Sequence, residues 1–270
     1  MAGHRSGARQ RINEKNSLAV FVNCANHSLS LVGVHAAKQD TAMVSFFGII
    51  ESLYSFFFRS IQRWVKLKDV VPVASKAEAE TRWSTRIEAV KPVQVYLEKI
   101  VDVLDSMTED VSQKIDAQSD AKQLVKRILT YEFLTLLGFW HKLLTPMDRV
   151  QKRLQDMRMN YHNAVSDTKS LKGQFHDAKE KLVDECLEDG KILCEKWEIE
   201  IERKRPRRKT RMAGENARDA GLSATEEKKR VMMGALDCLH KEMGDRFSRL
   251  FDVDSKFGFL LDVQWPLLRF

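Results

Sequence analysis

The sequence predicts a mainly α-helical protein, a multi-helix bundle with one short β-strand near its N-terminus. Three observations carry this reading. The 270 residues contain only five prolines and twelve glycines, so little of the chain is committed to turns. Apolar residues recur at spacings of three and four over most of the length, the period of a helix with one buried face. Against that background Leu18–Val22 (LAVFV) stands out as an apolar, β-branched and aromatic run of strand length.

Met1 to Lys15 is a polar, basic lead-in without the apolar core of a secretory signal. After the strand, Asn23, Cys24 and Asn26 can open a helix, and Leu29, Leu31, Val32, Val34 and Ala36 give it a face to lay on the strand, over about 27–38. Asp40 or Thr41 caps the next helix, which runs through Phe47, Ile50, Tyr54 and Phe58. Its greasy window, residues 43–58, is interrupted by Ser45, Glu51, Ser52 and Ser55 and is short for a bilayer span, so a core helix is expected. A short helix follows over 60–67 with Trp64, then a loop over 69–76.

Beyond Thr81 a stripe of Ile87, Val90, Leu97, Ile100, Leu104 and Met107 predicts a helix with a tolerable kink at Pro92. Residues 108–119 read as a loop. Residues 120–144 read as a helix apolar on nearly every side and therefore central, with Pro146 interrupting it before 147–154 resumes. Residues 161–201 form a long amphipathic helix or a pair, with Gly173 and Gly190 as candidate breaks. Ser223-Ala-Thr-Glu226 fits a capping box, and the helix behind it places Met232, Ala235, Leu236, Leu239, Met243, Phe247 and Leu250 on one face. The chain closes with KFGFLLD (256–262) and an apolar tail over 264–270 containing Trp265 and Pro266.

Charge is informative once located. The formal net charge is +7, and the run Arg203, Lys204, Arg205, Arg207, Arg208, Lys209 and Arg211 holds seven basic residues and no acid, while the remainder is balanced. The run repels itself and contains Pro206, so it reads as a solvated loop; as function it is a candidate nuclear signal or phosphate-gripping arm. The four cysteines, Cys24, Cys186, Cys194 and Cys238, lack zinc-module spacing and read as reduced thiols of an intracellular protein.

NSLAVFVNCANHSLSLVG, the FF and RW that follow, ETRWSTRIEAVKP (80–92) and SKFGFLLD resemble the hAT superfamily of transposases, in particular the transposon-derived proteins of the zinc-finger MYM-type group. The resemblance spans nearly the whole chain. It implies that Leu18–Val22 is a remnant of an RNase H-like sheet and that the helices are the insertion domain of such an enzyme. Residues 1–38 would then be the sheet remnant, 39–202 the helical insertion, 203–222 a basic linker, and 223–270 a C-terminal helix and tail. Catalysis in that family uses three carboxylates holding two metal ions about 4 Å apart. Aligned on the resemblance, the two aspartates fall upstream of Met1 and the glutamate beyond Phe270, so no catalysis, metal or cofactor is expected. Acid pairs such as Asp102 with Asp105, Glu109 with Asp110, and Glu226 with Glu227 read as solvated surface.

The resemblance also marks Trp83 as the residue that stacks on or replaces a flipped base, with Arg82 beside it for a phosphate and His27 of the C-x-x-H pair as a residual DNA contact. Read without the resemblance, Trp83 is a tryptophan packed at a helix start and His27 a helix-capping histidine. Cys24 and His27 alone make no zinc site. His162 with His176, His141 with Trp140, and Cys238 with His240 lack metal or triad spacing, and no phosphate-binding or hydrolase motif is present.

The expected function is a catalytically inactive, truncated transposase-derived protein that keeps DNA or partner-protein binding in the nucleus, or otherwise in the cytoplasm. DNA and a related transposase-like chain are its candidate partners, and no membrane or small-molecule substrate is expected. The alternatives are a helical interaction module with no nucleic-acid role, a transposon remnant without selected function, and an enzyme whose carboxylates come from another chain.

Overall fold

The computed structural model describes residues 7–71, 84–110, 114–201 and 223–260. Among them the secondary structure is eleven α-helices and one closing turn of 3-10 helix. The helices are α1 (Ala8–Lys15), α2 (Ala25–Lys38), α3 (Thr41–Phe58), α4 (Ile61–Val70), α5 (Ser84–Val95), α6 (Leu97–Glu109), α7 (Ile115–Ile128), α8 (Tyr131–Leu154), α9 (Tyr161–Asp177), α10 (Lys179–Lys196) and α11 (Ala224–Phe257).

The expected strand is absent. Ladder bonds need a neighbouring strand, and none lies among the described residues. Asn16 instead draws the chain into a turn. Its side-chain oxygen accepts from the Leu18 amide at 3.0 Å and its carbonyl from the Ala19 amide at 3.1 Å. Leu18 and Val20 then lie exposed, while Val22 packs against the core. The 18–22 run is therefore an irregular connection, and the β propensity of its residues goes unused.

Four helix starts, those of α3, α8, α9 and α11, carry a side-chain cap. The Asp40 carboxylate accepts from the Ala42 amide at 2.7 Å, and Asn160 accepts from the Asn163 amide at 2.7 Å. At Ser223 both halves of the capping box are formed, and every residue of the predicted stripe from Met232 to Leu250 is buried.

Other boundaries differ from expectation. Asp69 and Val70 complete α4, and the 108–119 loop shrinks because α6 runs to Glu109 and α7 begins at Ile115. The stretch expected as one helix from Asp120 is two, divided where Thr130 caps α8 by accepting from the Phe133 amide at 3.2 Å. Pro146 does not interrupt α8. Leu143, Leu144, Met147 and Gln151 are buried on both sides of it, and the Thr145 hydroxyl donates to the His141 carbonyl at 2.7 Å, so packing carries the helix past the missing amide. Neither Gly173 nor Gly190 ends a helix; the α9–α10 break falls at Ala178.

Gly190 serves packing. A Cβ there would lie 2.2 Å from Thr135 Oγ1 and 3.2 Å from Thr135 Cα, so its hydrogen is what lets α10 lie directly on α8.

The core is one cluster centred on α8. Trp140 is fully buried and donates its indole N–H to Met43 Sδ at 3.2 Å. Phe47 meets Trp140 edge-on at 4.9 Å, and Phe46 lies 5.2 Å from Phe133, so α3 and α8 are joined by rings as well as by area. By length and composition α3 could cross a membrane, but Met43, Phe46, Ile49, Ile50, Leu53, Phe56 and Phe57 are buried within the bundle. α11 lies against α2, α9 and α10, and α10 also packs on α8.

One ion pair is set deep in this scaffold. Lys228, at the start of α11, is 3% exposed and bonded to Glu132 in the first turn of α8, which is 28% exposed.

Candidate nucleic-acid interface

Of the residues singled out from sequence, His27 and Cys24 lie among those described. Arg82, Trp83 and the basic run Arg203 to Arg211 lie outside them, as does the tail from residue 261. The site is therefore built from what surrounds His27 and from the residues that follow Trp83.

Cys24 stands at the N-cap of α2 and makes no side-chain cap bond, so the first-turn amides of α2 receive no cap from it. Cys24 and His27 are both exposed beside those amides. A helix start left in this state carries partial positive charge and directs N–H groups outward, a geometry suited to a phosphate oxygen. Arg9 lies 5.0 Å over the ring of Phe21, four residues before α2, which brings α1 and its basic side chains to the same approach.

One turn into α2, the Ser30 hydroxyl accepts from Gln151 Nε2 at 3.1 Å, tying the start of α2 to the last turn of α8. Gln151 is buried, and its Oε1 has no hydrogen-bond partner, as has Asn26 Oδ1. The exposed cations of that turn are Arg149, Lys152 and Arg153. Lys152 bonds Asp148 at 2.7 Å, and Arg153 lies 3.0 Å from the Asp167 carboxylate as an ion pair, so two of the three are partly neutralised. The Lys152 ammonium is held above its ordinary pKa, first by the bond to Asp148 and also by the charge of Glu88 on α5.

That last influence locates the other half of the site. Glu88 sits one turn into α5, so the beginning of α5, directly after Trp83, lies beside the end of α8 against which α2 also begins. Arg86 is tied down: its guanidinium lies 4.2 Å over the ring of Phe47 and near Glu51, and burial lowers its pKa. It anchors α5 to α3. The starts of two helices thus flank one basic turn of a third.

Sequence reasoning found His27 through the C-x-x-H pattern but missed Arg149, Lys152 and Gln151. Nothing in their spacing marked them, because their part in the site comes from where α8 ends.

The remaining candidates do not converge. His162 Nδ1 lies 3.5 Å from Asp254 on α11. His176 lies beside His240 with the rings tilted and their centroids 4.9 Å apart, a pairing across two helices that sequence spacing did not suggest. His141 is pushed below its usual pKa by burial and then by Lys91 and Lys142. Burial pushes the Cys186 thiol up to about 12, which makes it inert at neutral pH. Asp105 is raised, first by burial and then by Asp102 and Glu109. Among the described residues no group of three or more His, Cys, Asp or Glu side chains could hold a metal ion. A cleft of about 310 Å³ between α3 and α7 is lined by Glu51, Ser52, Arg59, Asp120 and Arg127 among others, and by neither His27 nor any residue of α8.

No known protein family, curated protein or solved structure matches this chain.

Proposed function

We propose that this chain is a catalytically inactive, transposase-derived nuclear protein that binds nucleic acid where the starts of α2 and α5 flank the last turn of α8. The observation that carries the reading is the pairing of the uncapped α2 start, beside exposed His27, with the basic turn Arg149–Arg153. The resemblance to hAT transposases supplies Trp83 as the base-stacking residue and Arg82 as a phosphate ligand, and the charge of the run from Arg203 to Arg211 makes that run the nuclear signal or a second electrostatic arm. The cations around α8 are partly paired within the fold, so sequence-independent attraction falls mainly to the basic run, and the α2–α8–α5 surface supplies placement.

The test is binding of the purified chain to a DNA hairpin with an unpaired terminal base, followed by fluorescence anisotropy at two salt concentrations. Affinity should fall steeply with salt. Trp83→Ala should cost about 1–3 kcal/mol on hairpin ends, and much less on blunt duplex, because only the stacked base is lost. Equal loss on both ligands, or no DNA binding at all, refutes the reading. Nicking that depends on added divalent metal would refute the inactive assignment.

A further inference from the structure

The connection into α2 leaves a run of backbone groups open. Among the described residues no acceptor meets the amides of Val20, Phe21, Val22 and Asn23, and no donor meets the carbonyls from Leu18 to Asn23. The Asn16 turn closes before them, and the bonding of α2 begins after them, where the Ser28 amide donates to the Cys24 carbonyl at 2.9 Å. α1 gives little cover, since none of its own residues is buried. Leu18 is 86% exposed and Val20 59%, whereas Val22 packs against the core.

The side chains suit a strand. Valine and phenylalanine favour a pleated backbone, and Leu18, Val20 and Val22 would fall on one side of it. From Asn16 to Asn26 the chain has no ionisable carboxylate, lysine, arginine, proline or glycine. It therefore lacks the charges and prolines by which an exposed strand edge turns another away.

These features select the occupant. A bilayer would leave the open amides and carbonyls unpaired in hydrocarbon, at high cost. A docking helix has its own backbone groups already bonded and cannot meet them. A strand can, and its side chains must be apolar and uncharged to lie against Leu18 and Val20. Among the described residues the chain has no other uncharged run of this length outside its helices, so the matching strand is the same segment of a second copy. In an antiparallel pair with its two-fold axis at Val20, Leu18 falls opposite the partner's Val22, Ala19 opposite the partner's Phe21, and Val20 opposite the partner's Val20, with no like charges face to face.

We propose that residues 18–22 pair with the same residues of a second copy, forming a two-fold dimer joined by a two-stranded antiparallel ribbon. The backbone groups that the isolated chain leaves to water bond across the axis, and exposed Leu18 gains cover from the partner's Val22. A two-stranded ribbon alone is marginal in water, so the contact of each Val22 with its own core anchors the pair, and the dimer is weak and concentration-dependent. The pairing needs no nucleic acid and does not rest on the proposed DNA site.

The full chain, freed of nucleic acid by nuclease and high salt, is followed by light scattering and analytical sedimentation from about 1 μM to about 1 mM, the span of weak association. Its mass should rise towards twice the 31.2 kDa of one chain, and amide exchange over 18–23 should slow as the dimer fills. Val20→Lys and Val20→Glu each set like charges opposite one another at the axis and should weaken the dimer at least about tenfold. Far-UV circular dichroism should not change, since Val20 is exposed and outside every helix. Mixed in equal amounts, the two variants should restore the dimer, because lysine then faces glutamate. Val20→Thr, uncharged and β-branched, should dimerise within about threefold of the parent. The inference is overturned if the parent stays monomeric over this range, even with 18–23 protected, since the cover would then lie within the chain. A dimer that Val20→Lys leaves intact, a lysine–glutamate mixture that stays monomeric, or growth past the dimer overturns it as well.

Discussion

Gly190→Ala tests the α8–α10 packing most directly, because helix propensity and tertiary contact predict opposite signs. In a helix interior, glycine to alanine should stabilise by about 1 kcal/mol. At Gly190 the added methyl would fall 2.2 Å from Thr135 Oγ1, 3.1 Å from Thr135 Cβ and 3.2 Å from Thr135 Cα. Rotating the hydroxyl relieves the first contact, but the backbone contact yields only if α10 shifts away from α8. Overpacking of this kind costs about 1–3 kcal/mol, and the backbone contact places it at the upper end, for a net loss of about 1–2 kcal/mol. Gly173→Ala is the control, since nothing lies within 4 Å of its added methyl. That variant should be neutral or more stable by up to about 1 kcal/mol. Urea unfolding of the parent and both variants gives the comparison, with equal m-values required. If Gly190→Ala is as stable as Gly173→Ala, the two helices do not approach as described.

Three further variants probe charge at Lys228, Glu132 and His240. Glu132→Gln should cost about 3 kcal/mol by chemical denaturation, because it strands the ammonium of Lys228 inside the protein, whereas Lys228→Met should cost less, since partly exposed Glu132 keeps water and the α8 N-terminus. The reverse order would show that Lys228 is not buried as described. His240, packed near His176, has its pKa lowered by burial first and then by Lys172 and His176, with Lys179 adding to the shift and Asp237 opposing it. The unfolded chain therefore takes the proton first, so His240 stabilises the fold above about pH 6.5 and that contribution declines as pH falls through the unfolded value. His240→Gln should flatten the stability profile on that acidic side; an unchanged profile would assign the dependence to other groups.

Much of the fold was legible because it rests on local chemistry. The capping box at Ser223, the cap at Asp40 and the apolar stripe of α11 need only their own neighbours in sequence, and each formed as expected. The errors fell where distant residues decided. Leu18–Val22 has the composition of a strand, but a strand requires a partner, and Asn16 offered a turn instead. Pro146 and Gly190 read as breaks from propensity, yet each costs less than the packing it permits or endures. For the candidate interface, the C-x-x-H pattern pointed to His27, and nothing in the sequence pointed to Arg149 or Gln151.

By itself, then, the sequence determined that this chain is helical, where several of its helices begin, which faces they bury, and that its charge excess sits in one run. Periodicity, caps and composition are properties of short stretches, so short stretches suffice to state them. The tertiary structure alone decided that α2 and α5 start at the same end of α8, that a glycine is a contact point, and that the 18–22 backbone is left unpaired. Those facts depend on which residues far apart in sequence compete for the same space.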